Sequence, residues 1–394
     1  MAAAAGPAAI TRRFWALAAA CAAVLAVALG AAHYMELNGH IVTGMNNQVV
    51  WGLPHVFAIF MIVAASGVLN VASIGSVFGQ PVYKRRAPLS GLLCLAMLAG
   101  GLMVLMLDLG RPERIIVAAT HYNLTSVFAW NVLLYSGMAG IVVVYLWTMF
   151  ERRYNDFSKP AGLAALVWRF VLTTGTGSIF GFLVARQAYQ SALLAPLFIV
   201  LSFGWGLAVF LVVQAAMFAW NERRLPPEVE RRVARLLGIF IAASLYLVAV
   251  YHVTNLYFAR QQDFVSFILL SGGIYPLLFW GGYVIVGSVV PLLLLFHPRL
   301  IGQRATLAAA VLAILGAFAW LFVFIIGGQA FPLEIFPGYE VSSTFADGVV
   351  ERYAPSLPEF LLGVGGLGAA FLLTVVGVRV FDFLPQDDLA AAKP

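Results

Sequence analysis

The chain has 394 residues, 62% of them hydrophobic and 10% charged, with a mean hydropathy of +0.94. A soluble domain carries about a quarter charged residues and under half apolar ones, so this composition excludes a water-soluble globular fold and makes lipid the solvent. Net charge is +6, but the basic residues sit in short segments between apolar runs, the pattern of topology signals rather than of a nucleic-acid footprint.

The first apolar run follows Arg12-Arg13 and imitates a secretory signal. From Phe14 to Ala32 it is as long as a membrane span, so an uncleaved first helix is expected. Runs of about 20 apolar residues, the length a bilayer asks of a helix, then predict spans over 14–34, 51–77, 87–107, 125–149, 162–184, 191–220, 236–258, 265–296, 304–327 and 357–381. The expected fold is an all-α, polytopic integral membrane protein of about ten transmembrane helices. Of the 23 lysines and arginines, 17 fall in one alternate set of connecting segments, while Arg111, Arg114, Arg186, Arg260 and Arg352 fall in the other. The positive-inside rule then places both termini in the cytoplasm.

A weak internal echo links Leu53-Pro54-His55-Val56-Phe57, opening the second span, with Ala195-Pro196-Leu197-Phe198, opening the sixth. It suggests two parallel four-helix bundles with flanking helices. The expected division is 1–50 (first helix and outer loop), 51–190 (first bundle), 191–327 (second bundle) and 328–394 (outer loop and last helix). The long outer segment Gly328–Ser356, with Glu334, Glu340, Asp347 and Glu351, is an acidic, aromatic stretch suited to docking a partner or simply to connecting two spans.

Ionisable residues inside a bilayer are costly and usually functional. All 17 carboxylates fall in loops or at helix ends, which disfavours a transporter or carboxylate-gated proton pump. Ser66, Asn70 and Ser73 share a face of the second span, and Asn131 and Tyr135 are one turn apart on the fourth; such neutral stripes serve as interhelical glue or as a water-lined proton path. The outer ends differ. Trp51 to His55 opens the second span with Asn47 just ahead, Asp108 to Arg114 closes the third, and Tyr122 precedes the fourth. His252 lies near the outer end of the seventh span, and Arg186 follows the fifth. A histidine, a carboxylate and hydrogen-bonding side chains at one depth are what quinol oxidation needs, with His taking a proton near neutral pH and the carboxylate relaying it. His55 could equally hold a neighbouring helix, and Asp108 with Arg111 could be an ion pair that only fixes the turn. Cys21 and Cys94 are too few for an iron–sulfur cluster, which takes about four thiolates. His55 and His252 would be the one pair able to hold a haem.

Trp51-Gly52, the run Leu107-Asp108-Leu109-Gly110-Arg111-Pro112-Glu113-Arg114, and Gly177-Ser178-Ile179-Phe180 through Ala195-Pro196-Leu197-Phe198 resemble the NrfD/PsrC family. These are the quinone-interacting membrane subunits of polysulfide reductase and related complexes. The stretches Met45–Phe57 and Thr120–Asn131 look most like the ten-helix branch that includes DsrP of the sulfite-reduction-associated DsrMKJOP complex. The resemblance implies a quinone (menaquinone or ubiquinone) held near the outer face, no haem or iron–sulfur cluster in this chain, and electron exchange with a periplasmic ferredoxin-like iron–sulfur subunit. It further implies a bacterial inner membrane, membership of a larger oxidoreductase complex in sulfur-compound metabolism, and no nucleic-acid partner. By motif His55 and Asp108 are the expected proton-handling residues at the quinone. Trp51, Asn47, Tyr122 and His252 join them by position, and Arg111 and Arg186 are expected to be structural. A transporter, a haem-bearing cytochrome b-type anchor and a purely structural anchor are the rival readings.

Overall fold

The computed structural model describes residues 12–220, 227–300, 302–333, 348–381 and 383–384. The described residues form helices and no strand, as a chain in hydrocarbon must when every backbone polar group has to be satisfied within its own segment. Among the described residues ten helices are long and apolar enough to cross a membrane: α1 (Phe14–Asn38), α2 (Leu53–Ser76), α3 (Ala87–Leu107), α4 (Val127–Phe150), α5 (Arg152–Gly181), α6 (Leu194–Ala219), α7 (Glu228–Tyr257), α8 (Ile274–Phe296), α9 (Gln303–Ala330) and α10 (Leu357–Val380). The protein is therefore an all-helical, multi-pass membrane protein, as its composition predicts. Proline in the first turn of α2, α3 and α10 starts each helix where its missing N–H removes no bond.

α2 is the centre of the molecule, almost wholly buried, whereas α1 is largely exposed. α2 packs on α3 and α6, α4 packs on α5, and α9 packs on α6 and α8. α1 lies against α10, which in turn covers α3. The crossing of α2 and α6 is closed to side chains. A Cβ on Gly67 would overlap the Ser202 carbonyl, and one on Gly206 would overlap the Gly67 backbone.

Three boundaries depart from the sequence expectation. Hydropathy predicts the eighth span from 265, but a short helix, Gln262–Ser266, and a π turn, Phe267–Ser271, end at Gly272-Gly273, and α8 starts afresh at Ile274. Gly273 has φ +65°, a conformation that favours glycine and stops the helix there. α7 begins at Glu228 rather than 236. The regular helix of α5 begins at Ser158 rather than 162, and beside the neutral stripes read from the sequence it carries a deep cation. Arg169 stands at mid-helix and is buried. Its Nη1 donates to Asn70 Oδ1 at 2.6 Å and to the Ser66 carbonyl at 3.3 Å, and its guanidinium lies over the Phe170 and Phe203 rings. The Ser66/Asn70 stripe is thus a cradle for a cation, and Asn70 Nδ2 extends it to the Phe203 carbonyl of α6. The acidic stretch with Glu334, Glu340 and Asp347 lies outside the described residues, as do Arg223, Arg224 and Lys393.

Candidate functional site

The segment leading into α2 has little secondary structure of its own, so its backbone groups need partners elsewhere. Gln329, at the end of α9, supplies most of them. Its Oε1 accepts from the N–H groups of Val50 and Trp51, each at 3.0 Å. Its Nε2 donates to the carbonyls of Trp51 and Ile325. Arg186 clamps the same junction, donating from Nη2 to the Gln48 carbonyl at 2.7 Å and from Nη1 to the Gln329 carbonyl at 3.1 Å. Burial lowers Arg186 from the usual arginine value while Tyr189 acts in the opposite sense; two carbonyl acceptors suit a cation that cannot give up its proton. We expect Gln329→Leu to strand three backbone groups of Val50 and Trp51 and to lower the melting temperature measurably, since each stranded group costs about 1–3 kcal/mol. A differential scanning measurement on the purified protein checks this, and an unchanged melt would deny Gln329 its anchoring role.

Held this way, Trp51 stacks against His55 with ring centres 6.0 Å apart and meets Phe180 and Phe128 edge-on. His55 lies in the first turn of α2 and Asp108 caps the last turn of α3. Nδ1 of His55 approaches Oδ2 of Asp108 to 2.7 Å; the carboxylate is fully buried and the imidazole 12% exposed. Neither carboxylate oxygen accepts a hydrogen bond from another described group, so His55 is the partner of a buried charge. The turn after α3 is fixed from the far side. His40 donates from Nε2 to the Asp108 carbonyl at 3.0 Å, and Gly110, with φ +71°, leaves room for the His40 ring against which any Cβ would press.

A cavity of about 250 Å³ opens beside this pair, lined by Trp51, His55, Ile59, Leu105, Leu109, Phe128, Asn131, Val132, Tyr135, Ile179, Phe180 and Ile325. Its walls are apolar except for His55, Asn131 and Tyr135. Asn131 Nδ2 is used by the Val127 carbonyl at 2.8 Å, while its buried Oδ1 has no partner. Leu109 is 57% and Phe128 49% exposed, so the cavity opens sideways, between α3 and α4, onto the face that lipid covers.

The structure brings Trp51, His55 and Asp108 together. Asn47 is exposed and does not line the cavity. Tyr122 turns away too, its hydroxyl donating to the Ala129 carbonyl in the first turn of α4. His252 is buried in a separate aromatic niche with Tyr251 and Phe279, so it shares no cavity with His55. The Asp108–Arg111 pair does not form: Arg111 is exposed while Asp108 faces inward to His55. Asn131 and Tyr135, read from sequence as glue or proton path, line the cavity instead. Sequence reasoning missed Gln329 and Glu359. Among the described residues no group of three or more His, Cys, Asp or Glu is arranged for a metal.

Fold and site together define a polytopic integral membrane protein with a buried histidine–carboxylate pair beside a cavity open to lipid. The chain belongs to the NrfD family: the model of that family, described as polysulphide reductase NrfD, matches residues 41–333. Among similar proteins, an Archaeoglobus fulgidus protein named as an Hdr-like menaquinol oxidoreductase integral membrane subunit is 30% identical over 360 residues, covering 90% of this chain and 89% of the relative. A putative dimethyl sulfoxide reductase membrane subunit of Halobacterium salinarum is 29% identical over 91% of this chain and 89% of its own length. A polysulfide reductase chain of Wolinella succinogenes is 24% identical over 72% of this chain and 96% of its own length.

Proposed function

We propose that this chain is the quinone-interacting membrane subunit of a redox complex, with menaquinol or ubiquinol entering from the bilayer and electrons passing to a periplasmic iron–sulfur partner. The observation that carries this reading is the His55–Asp108 contact in the wall of a lipid-open apolar cavity. The name of the Archaeoglobus relative, a menaquinol oxidoreductase subunit, supports it. The site fits a quinone head group. The volume lies just under the roughly 300–1,000 Å³ of drug-sized pockets, enough for one ring system with its isoprenoid tail left in lipid, and Asn131 Oδ1 is a buried acceptor without a donor. A bound quinol supplies two electrons and two protons.

The protein's own contribution follows from the geometry. Asp108 at Nδ1 favours the tautomer whose Nε2 lone pair is free for a hydroxyl proton, and it offsets the charge when Nε2 takes that proton. Asn131 Oδ1 can accept from a second hydroxyl, and Trp51, Phe128 and Phe180 confine the ring. The division near residues 50, 190 and 327, a cytoplasmic location for both termini and a place in the bacterial inner membrane complete the proposal. The bias of basic residues supports the orientation. The resemblance to the branch with DsrP supports a role in sulfur-compound metabolism.

Quinone binding and quinol-linked electron transfer in the purified complex test the proposal. We expect Asp108→Asn to keep quinone affinity within a few-fold and to slow electron transfer roughly 10- to 100-fold, at or below the lower end of the roughly 100- to 10,000-fold that a general base contributes, because Asp108 acts on His55 rather than on the quinol. A wild-type rate would remove Asp108 from the chemistry.

A further inference from the structure

A second buried carboxylate stands behind the first turn of α2. Glu359 is inaccessible to solvent, and both of its oxygens are used. Oε1 accepts from the Tyr353 hydroxyl at 2.6 Å; Oε2 accepts from the N–H of Gly44 at 2.8 Å and of Ser356 at 2.7 Å. Ser356 Oγ returns a bond from the Glu359 N–H, closing a capping box on α10. A box of that kind needs only the serine and the glutamate of its own helix. Here the same carboxylate reaches into the segment before α2 as well.

The link to α2 is direct. The Tyr353 hydroxyl accepts from the N–H of Leu53 at 2.6 Å, one of the α2 donors that has no partner within the helix. Leu53 is two residues before His55. Gly52 completes the fit, since any side chain there would collide with Glu359 Oε1 and the Tyr353 hydroxyl. Burial, then Glu359, then Asp108 hold the Tyr353 phenol far above its ordinary value. The phenol therefore keeps its proton and the bonds run one way, from the Leu53 amide through Tyr353 to Glu359.

We propose that Glu359 and Tyr353 are positioning residues for His55, fixing the height and rotation of the first turn of α2 so that its imidazole meets Asp108. The inference rests on the reading of His55 and Asp108 as the proton-handling pair. Asp108 has its own anchor in His40 and Gly110, so each partner of the pair is set by a separate device.

The test compares Tyr353→Phe, Glu359→Gln, Ser356→Ala and His55→Ala in the purified complex, reading kcat and KM for quinol per assembled complex, quinone Kd and melting temperature. Tyr353→Phe keeps the ring and its packing on Phe322 but breaks the chain to Leu53. It should lower kcat roughly ten-fold while KM and Kd change by less than about three-fold, because misplacing a reacting group by about 1 Å costs rate before it costs binding. Glu359→Gln, which sets an amide nitrogen either against the Tyr353 hydroxyl or against the N–H groups of Gly44 and Ser356, should lower kcat as well, and Ser356→Ala, which touches only the cap, should keep all of it. A wild-type kcat in Tyr353→Phe or in Glu359→Gln would overturn the proposal, as would an equal loss in Ser356→Ala. Should Tyr353→Phe fail to assemble, Gly52→Ala displaces both groups without removing either, and a wild-type kcat there would overturn it too. An inactive His55→Ala beside a normal Tyr353→Phe sinks only the positioning role; a fully active His55→Ala sinks the reading of the site with it.

Discussion

His55→Ala is expected to slow quinol-linked electron transfer by roughly 100-fold or more in a complex that still assembles. Two effects combine in this variant. The proton acceptor beside the cavity is gone, and Asp108, whose carboxylate is fully buried with His55 as its partner, is left as a lone charge. Breaking such a pair from one side costs about 3–5 kcal/mol, so the melting temperature should fall as well. The double variant His55→Ala with Asp108→Asn separates the two effects. Removing the stranded charge should recover much of the lost stability and none of the lost rate. If the double variant instead recovers the rate, the defect in His55→Ala was one of folding, and the histidine has no part in proton transfer.

Gly67→Val should leave no assembled protein in the membrane. α2 and α6 touch backbone to backbone at Gly67 and Gly206, and a Cβ at Gly67 would overlap the Ser202 carbonyl rather than the end of a flexible side chain. Association of helices in lipid relies on close packing through small residues, since no hydrophobic force draws them together. Driving the two helices apart also pulls Asn70 Nδ2 from the Phe203 carbonyl of α6, beside the Arg169 that Asn70 cradles. We expect a loss above about 4 kcal/mol, in the range reserved for core disruption. Gly140→Ala is the control, because a Cβ there meets open space; equal membrane levels for the two variants would refute the close-crossing argument.

Much of the fold was legible because a bilayer writes it in plain composition. Runs of about 20 apolar residues located all ten spans, with errors only where length could not see local chemistry. Gly272-Gly273 ends a helix inside a run that stays apolar on both sides, so hydropathy alone carried the span back to 265. The pair His55 and Asp108 was legible through its residue types and their shared depth. His252 points elsewhere because position along a helix says nothing about rotation around it, and Asn47 and Tyr122 lie in loops whose path the spacing of the spans does not fix. Gln329 and Glu359 escaped for a different reason. Their hydrogen bonds reach backbone groups 279 and 315 residues away, and a glutamine at one helix end or a glutamate in a capping box looks ordinary until the chain is folded around it.

The widened stretch of α9 bears on how this chain can change length. Residues Phe322–Gly327 form a π turn, and Gln329 lies two residues after it. Within the turn the Ile325 carbonyl accepts from two side chains, Tyr189 and Gln329. A π turn carries one residue more than the α-helix it interrupts. Deleting one residue there would restore an even helix and keep what lies beyond it in phase, whereas a deletion from the regular part of α9 would swing everything beyond it by about 100°, with a retreat of about 1.5 Å. Gln329 would then face away from Val50 and Trp51, and the wall that Trp51 gives the cavity would lose its anchor. Residue count in the regular part of α9 is therefore under as tight a constraint as the identity of the residues themselves, and Phe322–Gly327 is the stretch where one residue can be lost with Gln329 still facing the segment it anchors.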